Sequence, residues 1–81
     1  MTLNRAVALA KAAGPAAALA LIEPLGERLA GYFPYHGVRG ALLKDLGRTG
    51  EARAALERAA ALANTPAEGA HIREQIAALV G

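Results

Sequence analysis

The sequence has no cysteine, no serine, no tryptophan and one aspartate, and aromatic rings fill only 4% of its 81 positions. Without cysteine there are no disulfides, thiolate metal sites or thiol nucleophiles, and without serine a second common nucleophile is gone. His36 and His71 are the only histidines, and they stand 35 residues apart. A metal site needs at least three convergent ligands, so no metal and no cofactor are expected. Asp45 stands alone, and the glutamates fall at solvent-facing helical positions. That pattern offers no base, nucleophile and pocket together, so an enzyme is not expected.

Long unbroken apolar runs are missing too. The stretch 6–22 is interrupted by Lys11 and by Gly14-Pro15, whereas a spanning helix needs about 20 continuous apolar residues and a leader an uninterrupted core. No membrane segment is expected, and the lack of cysteine fits a cytoplasmic setting. The formal charge of +2 is small and spread along the chain. A surface that tracks nucleic-acid phosphates clusters its Lys and Arg, so no direct DNA binding is expected.

What the sequence has in quantity is alanine, within a hydrophobic fraction of 54%. Alanine is the best helix former but buries little surface. A chain this short buries only about 60% of its unfolded surface, so closely approaching helices around a thin core are expected.

Five helices can be read, and no segment alternates like a strand. The first covers about 3–13, with Leu3, Val7 and Ala10 at helical spacing. Gly14 stops it and Pro15 opens the second, about 15–25, which Pro24 ends or kinks. After a connector holding a turn around Arg28-Leu29, the third covers about 34–46, with Val38, Leu42, Leu43 and Leu46 on one face and Gly47 closing it. Thr49 is expected to cap the fourth, about 50–63, with Glu51 in its first turn. Thr65-Pro66-Ala67-Glu68 spells a capping box with proline at the first helical position. It opens a helix over about 66–80 whose Ile72, Ile76, Leu79 and Val80 share a face.

A shift of 34 residues lays the first helix pair on the second. Arg5 meets Arg39, Ala6 meets Gly40, Leu9 meets Leu43, Ala18 meets Ala52, Ile22 meets Leu56 and Glu23 meets Glu57. That period resembles the tetratricopeptide repeat, two antiparallel helices per unit. Gly40 matches its small site, Leu43 its large one, and Ala52, Leu56 and Ala59 the second helix; His36 replaces the usual aromatic. The expected fold is all-α and tetratricopeptide-like, a single domain over 1–81. It comprises two antiparallel helix pairs, about 3–25 and 34–63, and a C-terminal capping helix. Arrays of this kind need about three repeats and capped ends. Leu3 and Val7 are expected to lie bare at the uncapped end. The chain is therefore expected to be a fragment of a longer one, or to form a homodimer through the first helix.

Three stretches in order resemble one known family: Leu3-Asn4-Arg5-Ala6-Val7-Ala8 with Gly14-Pro15-Ala16-Ala17, then Gly31-Tyr32-Phe33-Pro34-Tyr35-His36, then 42–52 (LLKDLGRTGEA). Together they resemble the C-terminal, tetratricopeptide-like extension of a subgroup of bacterial extracytoplasmic-function sigma factors, over nearly the whole chain. Gly40-Ala41 stand where that subgroup often carries an acidic residue. The resemblance implies a regulatory or protein-interaction domain acting in transcription initiation. Its partners would be RNA polymerase or the sigma factor's own regions. The alternative is a free-standing adaptor that binds a peptide in a concave groove.

Two sets of residues are candidates for partner contact. Tyr32, Phe33, Tyr35 and His36 gather the aromatic character of the chain and form either a recognition patch or a plug between the repeats. Arg5 and Arg39, at equivalent repeat positions, form either a joint carboxylate clamp or separate structural pairs. Asn4 stands beside Arg5 as a further contact or as a helix N-cap.

Overall fold

A computed structural model describes residues 2–79, with the Thr2 side chain outside the description. Val80, read above as part of the last apolar face, lies beyond the described residues. Five α-helices account for the described chain: α1 Thr2–Ala13, α2 Pro15–Ile22, α3 Phe33–Asp45, α4 Thr49–Leu62 and α5 Pro66–Ala78. There is no strand among the described residues.

Each boundary has a local cause. Gly14 adopts φ 97°, a conformation that costs other residues a Cβ clash, and so turns the chain within one residue. Pro15 then starts α2, where its missing N–H is no loss. The second helix is shorter than its composition suggests: it ends at Ile22, and Glu23–Leu25 tighten into a 3-10 turn around Pro24. At the end of α3, Gly47 takes φ 76°. The Arg48 amide reaches back to the Leu43 carbonyl at 2.9 Å and the Gly47 amide to the Lys44 carbonyl at 3.0 Å, which satisfies carbonyls the helix end leaves open.

Thr49 does not cap α4. Arg48 holds the capping position without a side-chain cap bond, and Thr49 is already helical. The first turn is held instead by Arg48, whose Nε and Nη2 donate to the two Glu51 carboxylate oxygens at 2.9 and 2.6 Å. This pairing holds the Glu51 carboxyl below the usual carboxylate range. At α5 the expected box forms, with one change of partner. Thr65 Oγ1 accepts from the Glu68 amide at 3.1 Å, while Glu68 Oε1 accepts from the amide of Asn64 at 2.8 Å, one residue before the cap. Replacing Thr65 with alanine is expected to cost about 1 kcal/mol. In a thermal melt of a domain this size that is a drop of roughly 4–8 °C.

Packing follows chain order: α1 pairs with α2, α3 with α4, and α5 lies on α4, while α3 also meets α2 and α1. The smallest dimension is 19 Å, about two helix diameters, so the helices form two layers. Ile22, Leu43, Leu56 and Ile72 are the largest fully buried side chains, one from each of α2 to α5. Between them the core is lined by Ala6, Ala18, Ala52, Ala55 and Ala59. Gly40 lets α3 and α4 close in: a Cβ there would come within 2.6 Å of Leu56 Cδ2 and 2.7 Å of its Cγ. Leu3, expected to lie bare, is buried at 9% exposure because α1 rolls it into the core beside Ala6 and the side chains of α2. Val7 is exposed at 44%. The apolar surface offered by the first helix is thus smaller than the sequence pattern implies. No helix among the described residues is long and apolar enough to cross a membrane.

Candidate partner-binding face

The residues singled out in the sequence separate into an exposed set and a structural one. Tyr35 is turned inward, 3% exposed, and joins the core, which takes it out of any surface patch. Its ring meets that of His36 edge-on, with centroids 5.0 Å apart and planes at 82°. His36 Nε2 lies 2.7 Å from the Ala30 carbonyl, so it carries the proton and donates. Arg39 Nε donates to Glu23 Oε1 at 2.8 Å. Phe33 packs half-buried on the cluster of Leu56, Ala59 and Ile72. His36 and Arg39 therefore tie the connector 23–32 onto α3, with Tyr35 buried beside them. Tyr32 stands outside this knot, 42% exposed at the start of α3.

Arg39 is committed to Glu23 and so is not free to share a carboxylate with Arg5. Asn4 and Arg5 are exposed. Asn4 lies within the first turns of α1, not at its N-cap, because the helix already begins at Thr2.

Burial, and second the charge of Glu23, raise the pKa of the Tyr35 hydroxyl above that of a free tyrosine; Arg39 acts the other way and is outweighed. A raised folded-state pKa means the neutral ring favours folding at every pH below the unfolded value, about 10. That contribution is lost as pH climbs through the folded value. The melting temperature is expected to fall with rising pH above about 10, and Tyr35→Phe should flatten that part of the profile in a series of thermal melts.

The groove-forming surface takes in Phe33 from the aromatic set and Val7 from the first helix, but as a surface it was not singled out from the sequence. A groove of about 290 Å³ runs between α1 and α3, lined by Val7, Ala10 and Lys11 on one side and Val38, Ala41, Leu42 and Asp45 on the other. A second, about 280 Å³, runs between α3 and α5, lined by Phe33, Pro34, Gly37, Val38 and Ala41 opposite His71, Ile72 and Gln75. Val38 and Ala41 belong to both, so the two grooves are neighbours on one face.

The lining follows a 34-residue spacing. Val7, Ala41 and Gln75 are 34 residues apart in sequence, as are Lys11 and Asp45, Gly37 and His71, and Val38 and Ile72. Residues at this spacing thus face the grooves from α1, α3 and α5. The signal was present in the sequence as this register, but the short side chains at 37 and 41 gave no apolar stripe to draw attention to it.

The grooves are mainly apolar, with polar groups at their margins. Lys11 and Asp45 border the first groove without an ion pair among the described residues. In the second, the Gln75 amide Nε2 donates to His71 Nε2 at 2.7 Å, which places the imidazole proton on Nδ1. Such a surface can hold a partner segment by apolar burial while polar margins fix its direction. Among the described residues no three His, Asp or Glu side chains gather closely enough to hold a metal ion.

No known protein family matches the chain, and no solved structure does. The chain is similar to an uncharacterized protein of Rhizobium meliloti (strain 1021), 64% identical over 76 residues, which are 94% of this chain. The chain spans 18% of the length of that relative.

Proposed function

We propose that this chain is a non-catalytic, tetratricopeptide-like interaction module that receives an extended segment of a partner protein along the face formed by α1, α3 and α5. The observation that carries the reading is the recurrence of groove residues at 34-residue steps on the three helices. In tetratricopeptide arrays the first helix of each unit lines a common binding surface, and here the helices in that role are the ones that open onto the grooves.

The setting we propose is the cytoplasmic C-terminal regulatory domain of an extracytoplasmic-function sigma factor. The partner is then RNA polymerase or the sigma factor's own promoter-binding regions. Support comes from the three resembling stretches, and from a relative in which the matched sequence is a small part of a longer polypeptide. Of the residues first considered for partner contact, Asn4, Arg5 and Tyr32 remain accessible.

The test is a titration of the fluorescently labelled chain with purified bacterial RNA polymerase core, followed by anisotropy. Saturable binding that unlabelled chain displaces supports the polymerase assignment. No binding to core, together with selection of a consensus peptide from a displayed random library, moves the protein to the free adaptor reading. Failure of both probes contradicts a binding face.

A further inference from the structure

We propose that the outer side of α1 is a second interaction surface, one that accepts a stacked helix carrying a glutamate at its C-cap, with Arg5 as the receiving cation. The proposal rests on the 34-residue register of the helices and is independent of the grooves.

An interaction of this kind is already made once within the fold. Glu23, just past the end of α2, accepts from Arg39 in α3 at 2.8 Å, and 16 residues separate them. Arg5 occupies the position of Arg39 one period earlier, yet it is exposed and has no ion pair among the described residues. Its neighbours show the same contrast. Leu42 is buried at 5% exposure and Leu46 is half-buried, because α1 and α2 cover that side of α3. Their equivalents on α1, Ala8 and Ala12, are exposed. So α1 presents, uncovered, the positions that α3 uses to receive the preceding helices, complete with the arginine that takes the carboxylate.

Charge decides the kind of occupant. An exposed guanidinium beside an alanine-lined surface favours a helix that brings a carboxylate and apolar side chains together, as α2 does with Glu23 and Leu19. A second copy cannot offer its equivalent glutamate, Glu57, in the same way, because α5 already lies on α4. One period later, Arg73 lies back over Gly69 and no ion pair joins it to Glu57 among the described residues. The connection there differs: only three residues separate α4 from α5, whereas 3-10 and turn residues separate α2 from α3. The relative, most of whose length lies outside the match, has polypeptide enough to supply such a helix in cis.

The experiment extends the chain by a copy of its own residues 1–34 fused directly to the N-terminal side of Met1. The copied glutamate then stands 16 residues before Arg5, as Glu23 stands before Arg39. The extended chain is expected to melt in one transition at a higher temperature than the 81-residue chain. Arg5→Gln and Glu→Gln in the added copy should each lower that temperature by about 2–5 °C, and the two together by no more than either alone. Arg5→Gln in the unextended chain should change nothing, and Ala41→Arg in the groove should leave the gain intact. The proposal is overturned if the extension melts separately, if its gain survives both substitutions, or if Arg5→Gln destabilises both chains equally. It is also overturned if the 81-residue chain is a dimer in light scattering that Arg5→Glu dissociates, since a second copy would then cover α1.

Discussion

Leu56→Ala is expected to remove about 2–5 kcal/mol of stability, from a total of roughly 4–12 kcal/mol for a domain of this length. Leu56 is fully buried in α4, where it contacts Ala59 and Ile72 and faces Gly40 across the α3–α4 interface. Truncating it leaves a cavity that neighbouring alanines are too short to fill. A second substitution gives this prediction a sign that can fail. Gly40→Ala in the native chain places a Cβ within 2.7 Å of the Leu56 branch point, which is enclosed and cannot swing away. That overpacking is expected to cost about 1–3 kcal/mol, more than the gain of about 1 kcal/mol from replacing a helical glycine. In the Leu56→Ala background the obstacle is gone and only the propensity gain remains. Gly40→Ala should therefore destabilise the native chain and stabilise the truncated one. Urea denaturation of the four proteins, with unchanged slopes, reads the reversal.

Ala41→Arg is expected to weaken partner binding about tenfold or more, a loss of about 1.4 kcal/mol or greater, while leaving the melting temperature nearly unchanged. Ala41 is partly exposed and lines both grooves, so one long side chain there obstructs both. Folding is spared because Ala41 is not among the buried residues of α3, which are Tyr35, Gly40, Leu42 and Leu43. Arg39→Gln gives the opposite pattern. It breaks the ion pair to Glu23, costs a fraction of a kcal/mol as partly exposed pairs do, and leaves binding as it was.

Much of the fold was legible because punctuation and propensity agree. Gly14-Pro15, Gly47 and Thr65-Pro66-Ala67-Glu68 each carry a backbone requirement that only certain residues meet, and the helices change where those residues stand. The failures have a common cause in tertiary context. Thr49 was a better cap by type than Arg48, but the Schellman-like turn at Gly47 commits Arg48 to the link and lets α4 begin one residue earlier than expected, at Thr49. Leu3 looked bare because an isolated helix gives no sign of how far it will roll into its neighbour.

The site was less legible than the fold. Aromatic residues drew attention to 32–36, yet Tyr35 and His36 serve the connector. The residues that line the grooves are a mixture of aliphatic, small and polar types, and nothing in that mixture marks them as one surface until three helices are set side by side. Arg39 shows the same limit from another direction. Its repeat equivalence to Arg5 was visible in the sequence, while the glutamate that takes one and leaves the other open was not.

The measurement that bears most directly on the proposed binding face is site-specific photo-crosslinking in cells, with the photoreactive residue placed at Ala41 in the groove or at Ala61 on the exposed side of α4. Adducts to a defined partner at position 41, lost when Val38→Arg is added, and none at position 61 are the outcome this account requires. Equal adducts at both positions, or adducts at 61 alone, would contradict it.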